Sequence, residues 1–174
     1  MLNKKTFYTD NLFFYKYPKK RRFKLWLVRD HWILIRKYLY FLRKCEFFDK
    51  RNNRLLSLWY ENRKNRLGNK LGFYISPHTL GKNATIWHHG SVIISGDANI
   101  GNNCIFHGNN CVGNNGKSAK APLIHDNVDI GFGAAIIGNV EIADNVKIGA
   151  GAVVTRSCYK KGAVLVGVPA KELK

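Results

Sequence analysis

From Leu80 to Val154 the chain places an aliphatic or aromatic side chain at every sixth position. Leu80, Ile86 and Val92 form one run, and Ile94, Ile100, Phe106 and Val112 a second. Ile124, Ile130, Ile136, Ile142, Ile148 and Val154 form the third. Four residues after these openers comes something small or short: Ala84, Gly90, Ala98, Cys104, Gly116, Val128, Ala134, Val140, Val146 and Ala152, with Asn110 as the polar exception. A helix repeats its apolar face at three and four residues and a half-buried strand at two, so this period belongs to neither. It suits a chain that turns a corner every six residues, three short strands closing one triangular coil and stacked coils sharing a core. The pairs Asn102-Asn103, Asn109-Asn110 and Asn114-Asn115, each with glycine beside it, fit such corners, because glycine and then asparagine tolerate positive φ most cheaply.

Charge divides the chain in two. Residues 1–70 hold 20 Lys/Arg against 5 acids, and residues 71–174 hold 9 against 6. The front segment also carries Phe13, Phe14, Tyr15, Trp26, Trp32, Tyr38, Tyr40, Phe41 and Trp59. A basic, aromatic-rich segment of this kind suits an anionic membrane face or an acidic glycan. It has no nucleic-acid motif and its aromatics fall at helical spacing, so nucleic acid is not an expected partner. Its alternative role is a solvated face whose aromatics pack on a neighbouring helix. The four cysteines show no paired spacing, and Cys104 takes an inward slot, so reduced thiols and a cytoplasmic location are expected. No signal peptide is expected, since polar and basic residues precede any apolar stretch. The uncharged apolar runs in this segment, such as Trp32 to Ile35, are far short of a membrane span.

Two units follow: a basic helical segment over residues 1–70 and a prism with a C-terminal tail over residues 71–174. Within the first, residues 1–22 read as irregular, Phe23 to Phe48 as one helix and Arg54 to Leu67 as a second, stopped by Gly68. Within the prism the rhythm fails between Val112 and Ile124, where Gly113 to Pro122 reads as an extruded loop on the working face.

Histidine is the reactive candidate. His88, His89, His107 and His125 lie in the repeat region, and His88 and His89 fall at or beside a corner, pointing away from the core. Histidine is the side chain that titrates near neutrality, so one held outside a rigid coil can take a proton from a substrate hydroxyl.

Three stretches together resemble the acetyl-CoA-dependent acyltransferases of the left-handed β-helix, or hexapeptide-repeat, superfamily: Ile86 to Ile94, Gly113 to Lys117, and Gly167-Val168-Pro169-Ala170-Lys171. The nearest branch is similar to serine acetyltransferases and includes enzymes that O-acetylate capsule and O-antigen sugars. The resemblance covers residues 71–174 well and the front segment loosely. It implies a mainly β fold, a left-handed parallel β-helix preceded by a short α-helical segment. It also implies a homotrimer with acetyl-CoA in the groove between two prisms. On that resemblance His88 is the catalytic general base, and backbone N–H groups near the corner stabilise the oxyanion. Asn115, Gly133, Ala134, Gly151, Ala152 and Lys171 contact the cofactor, while Tyr74, His89 and His107 contact the acceptor.

Departures from the pattern bear on the acceptor. Phe73 or Tyr74 stands where the serine enzymes carry a histidine-orienting aspartate, Ala121 replaces a histidine before Pro122, and Asn114-Asn115 replace Gly-Thr. An ammonium group wants a carboxylate and a sugar hydroxyl does not, so the expected acceptor is a sugar or cell-surface polysaccharide. Serine, for cysteine biosynthesis, is the alternative, and a non-enzymatic membrane-face scaffold the second. A metal is not expected: the zinc enzymes built on this prism use three histidines, and Ile130 stands where the third would be.

Overall fold

The computed structural model describes residue 7 and residues 9–173. A short 3₁₀ turn (Leu12–Lys16) leads to three helices, α1 (Lys19–Leu27), α2 (His31–Asp49) and α3 (Arg54–Leu71). Fourteen short strands follow, and they form three sheets, the faces of a triangular prism. The first face holds β1 (Phe73–Ile75), β3 (Val92–Ile94), β6 (Asn110–Gly113), β9 (Ala135–Ile137) and β12 (Val153–Val154). The second holds β4 (Asn99–Ile100), β7 (Leu123–Ile124) and β10 (Glu141–Ile142). The third holds β2 (Thr85–Ile86), β5 (Ile105–Phe106), β8 (Asp129–Ile130), β11 (Lys147–Ile148), β13 (Val164–Val166) and β14 (Lys171–Glu172). Every pairing is parallel except the closing one, β13 with β14.

All thirteen openers are at most 4% exposed, so the six-residue period is the prism's core. The small slots follow it inward, Cys104 included, with two exceptions: Gly90 sits at a corner and Gly116 is exposed in the loop. Asn110 is buried without penalty, because its Oδ1 accepts from the Gly108 N–H and its Nδ2 donates to the carbonyls of Gly131 and Ala134. On the edge between the second and third faces, Asn83, Asn103, Asn127 and Asn145 all take φ near +60°. Their amides form a ladder: Asn83 Nδ2 donates to Asn103 Oδ1 (3.1 Å), and Asn103 Nδ2 to Asn127 Oδ1 (3.0 Å). Asn109 also turns a corner at positive φ, whereas Asn114 and Asn115 belong to the loop and Gly116 supplies its positive φ.

Register locates the irregularities. Regular coils pair residues 18 apart, as Asp129 with Lys147, but Cys111 pairs with Ala135, 24 apart, because Asn114 to Ala121 are extruded. The first coil is long as well. Ile86 pairs with Phe106 and Val92 with Asn110, so the corner from Trp87 to Ser91 has five residues where the one beneath, His107 to Asn109, has three.

The helical segment departs from its sequence reading in three ways. Lys19 to Arg22 are helical rather than irregular, and the single helix expected from Phe23 to Phe48 is broken. Arg29 takes φ +53°, and Asp30 caps α2 by accepting the Trp32 N–H. Gly68 does not end α3, which runs to Leu71 and stops at Gly72 with φ +78°. Gly68 is instead a close approach: a Cβ there would lie 2.5 Å from the Phe73 carbonyl oxygen.

Helices α2 and α3 cover the open end of the first coil. Ile35, Tyr38, Leu39 and Leu42 join the same core cluster as Phe73, Ile75 and the openers. Polar contacts complete the cover. The Ile75 N–H donates to Tyr38 Oη, and buried Lys64 Nζ donates to the Ile75 carbonyl (3.0 Å). Arg43 pairs with Asp10 (2.8 Å) and Glu46 and donates to the carbonyls of Leu80 and Gly81. Asp10 Oδ1 accepts from the Ala84 N–H, and the Asn11 side chain both accepts from the N–H and donates to the carbonyl of Ile86. Asp10 and Asn11 thus occupy the hydrogen-bonding edge that a preceding coil would have used.

Candidate active site

The edge between the third and first faces gathers most of the residues singled out from the sequence. Down it lie Trp87-His88-His89-Gly90-Ser91, then His107-Gly108-Asn109, Gly131-Phe132-Gly133 and Gly149-Ala150-Gly151. Backbone hydrogen bonds stack the corners, Gly133 N–H to the Gly108 carbonyl and Gly151 N–H to the Phe132 carbonyl. The extra length of the first corner pushes His88 and His89 outward, and both are exposed. Gly108 makes the space beneath: at φ +118°, a Cβ there would stand 3.4 Å from His88 Cβ and 3.3 Å from the Phe132 ring.

Sequence reasoning missed His31. It is the first residue of α2, and its ring stacks on His88 (centroids 5.7 Å apart, 24° between planes) and tilts against His89 (5.4 Å). Acceptors face both of its nitrogens: the Trp87 carbonyl lies 3.3 Å from Nε2, and Asp30 Oδ1 lies 3.4 Å from Nδ1. Trp32 Nε1 donates to the same Trp87 carbonyl (2.8 Å), and Phe13 lies against Trp87 with centroids 4.4 Å apart. An aromatic group from the helical segment therefore fixes the corner that carries the histidines. The break at Arg29-Asp30 is the signal that could have found it, since an Asp N-cap starts a new helix at His31.

His107 sits one coil below, its Nε2 2.9 Å from Asp129 Oδ1 on the third face. Gly133 and Gly151 are exposed, and a Cβ on Gly133 would meet only Gly151 (3.9 Å), while one on Gly151 would meet nothing within 4 Å. The lower edge thus exposes backbone at Gly133 and Gly151, flanked by the side chains of Phe132, 48% exposed, and Ala150. Ala134 and Ala152 do not contribute to that surface. Both are 0% exposed, with side chains in the prism core, and their carbonyls accept from the backbone N–H groups of Cys111 and Ala135. Tyr74 is also displaced from the histidines: it projects from the outer side of β1, 63% exposed, in register with Ile93.

Asn115 lies on a different edge, in the extruded loop, where it packs on Gly138 and its Oδ1 accepts from the N–H groups of Lys117 and Ser118. Lys171 is exposed in the closing hairpin, with Val166 as its β partner. One copy of the chain does not bring the loop to the histidine corner, because the first face separates them. His125 is elsewhere again, held 2.8 Å from Glu141 Oε1, and among the described residues no three metal-ligating side chains converge.

Residues 121–156 match the family model described as bacterial transferase hexapeptide, six repeats. The prism is a left-handed β-helix of hexapeptide repeats. No curated protein matches the sequence significantly. Among solved structures, serine acetyltransferase of Neisseria gonorrhoeae has a TM-score of 0.64 at 30% identity, over 81% of this chain and 52% of that one. Its complex with serine gives 0.61 at 31% identity, over 79% and 54%. The soybean serine acetyltransferase apoenzyme gives 0.67 at 29% identity, over 79% and 57%. The chain therefore spans little more than half the length of these structures.

Proposed function

We propose that this chain is an acetyl-CoA-dependent O-acetyltransferase, with His88 as general base on an acceptor hydroxyl. The observation that carries the reading is the lengthened corner, which presents His88 on the edge that also exposes the backbone of Gly133 and Gly151, beside the Phe132 ring. Acetyl-CoA supplies the thioester from which acetyl is moved. A slender pantetheine arm fits against the backbone exposed at Gly133 and Gly151, with the Phe132 ring beside it. Lys171 would meet the nucleotide end.

His88 takes the proton of the acceptor hydroxyl as its oxygen attacks the thioester carbonyl, and returns it to the leaving thiolate. The products are an acetyl ester and free CoA. His31 touches the ring of His88 rather than the reacting atoms, so it acts as a positioning residue, with His89 and His107 lining the acceptor side. Because Asn115 stands on another edge, its contact with the donor requires a second copy. This supports a homotrimer with sites shared between chains. The first face is suited to the contact, since Tyr74, Ile93, Cys111, Ala135 and Val153 project from it without a charge.

The similarity to serine acetyltransferases supports L-serine as acceptor over the sugar expected from the sequence. One observation favours the sugar as the second reading. The carboxylates on this edge each already hold a partner through Oδ1, Asp129 with His107 and Asp30 with the Trp32 N–H, which weakens their pull on a substrate ammonium. Thiol release from acetyl-CoA tests both. Turnover with L-serine supports the first reading, and turnover only with saccharides bearing free hydroxyls supports the second. Neither turnover nor acetyl-CoA binding would leave the prism a scaffold.

A further inference from the structure

Helix α1 has nine residues and buries none of them. Isolated helices shorter than about 12–15 residues are marginal in water, so the order of α1 depends on what covers it. Arg22 and Leu25 lean towards the protein, whereas Phe23, Trp26 and Leu27, at i, i+3 and i+4, form one stripe that is 63, 59 and 64% exposed. Lys19, Lys20, Arg21 and Lys24 are exposed around it. Trp26 and Leu27 also wall a groove that Ile33 and Leu67 line and to which Lys37 and Lys70 bring positive charge, and no carboxylate lines it. Arg63 and Arg66 extend the basic rim beyond Lys37 and Lys70.

We propose that α1 and this groove dock the protein on an anionic phospholipid bilayer. The Phe23–Trp26–Leu27 stripe enters the boundary between headgroups and acyl chains, and the flanking lysines and arginines meet lipid phosphates. A polysaccharide would pair with the cations but would leave the apolar stripe exposed. A second copy would cover the stripe but set two uncompensated basic faces against each other. A bilayer satisfies both. Leu27 is four residues from His31, so at most about 14 Å of chain separates the docked helix from the residue stacked on His88. The histidine corner therefore works beside the bilayer surface.

Flotation of the full-length protein with vesicles of phosphatidylcholine, alone or mixed with phosphatidylglycerol, tests this. Retention is expected on the mixed vesicles alone and should fall with salt. Trp26→Glu with Leu27→Glu should weaken it about tenfold or more, and each of Lys37→Glu and Lys70→Glu about fivefold. For the unsubstituted protein, brominated phosphatidylglycerol should quench tryptophan fluorescence, a readout that does not depend on how the variants fold. Three results would overturn the proposal: no retention with no quenching, equal retention on a soluble acidic polysaccharide that Trp26→Glu leaves unchanged, or lipid-free self-association that Trp26→Glu abolishes.

Discussion

The prism and the helical segment answer the same problem, a buried backbone that must be hydrogen-bonded, in opposite ways. In the prism each coil pairs with the next at a fixed register, and the asparagine ladder Asn83–Asn103–Asn127 repeats one corner solution. The first coil has no predecessor. There the helical segment supplies unrepeated partners, Arg43, Asp10, Asn11, Tyr38 and Lys64, whose contacts occur nowhere else in the prism. Repetition makes a core robust because many equivalent contacts share the load. A unique cap concentrates stability, and at His31 also the geometry of the site, in a few side chains.

The largest expected effect sets the working edge of the prism against its neighbours. His88→Ala should lower kcat by about 10²–10⁴ with little change in acetyl-CoA affinity, as expected for a group that acts in the transition state. His89→Ala should cost far less, and steady-state kinetics on both variants would expose an error in the corner assignment if the order were reversed. His31→Ala should lower kcat more than it raises KM, with His31→Phe restoring part of the loss through the stack alone. A loss of stability without that split would reduce His31 to a structural role.

Next comes the cap. Arg43→Ala leaves Asp10, 2% exposed, without its cation and removes donors to two carbonyls of the first coil. Breaking a buried pair in this way costs about 3–5 kcal/mol, readable by chemical denaturation. A cost within the range of surface substitutions would show that the prism does not need its cap. The pairing with Asp10 and Glu46 raises the Arg43 pKa against the opposing effect of burial, so this contribution is charged at all working pH values.

A pH-dependent effect separates the prism core from the cap. Burial pushes the Cys104 thiol up to about 11 from 9.0. Its folded pKa is raised, so the native state holds the proton longer than the unfolded chain does. Its contribution is therefore complete below pH about 9 and lost as pH rises towards 11, for a total of about 2–3 kcal/mol. Denaturation across that window should show the decline, and Cys104→Ala should flatten it. The smallest effect is Tyr38→Phe. It strands the Ile75 N–H in the core for about 1–2 kcal/mol, and a null result would mean that another acceptor reaches that group.

Much of the prism was legible because its signal is repeated. The spacing assigned the core residues, the loop from Gly113 to Pro122, of which Asn114 to Ala121 are extruded, and the outward histidines, and both working irregularities are breaks in that period. Isolated positions were harder. Gly90 and Gly116 matched the small-residue pattern without filling core slots, and Ala134 and Ala152 matched a motif while facing inward. Gly68 looked like a helix stop because glycine often is one. Here it is small to let the Phe73 carbonyl approach, a need created by an element that follows it in the chain.

The sequence by itself determined the triangular coil, its core and which corner bears His88 and His89, because a six-residue period permits one way of burying its openers. Only the tertiary structure decided that His31 stacks on His88, that Asp10 and Arg43 close the first coil, and that Asn115 stands on a different edge from the histidines. Periodicity is a local property and is written along the chain. Those contacts join residues with no common period, 57 positions apart for His31 and His88 and 74 for Asp10 and Ala84, and they exist only once the helical segment lies across the end of the prism.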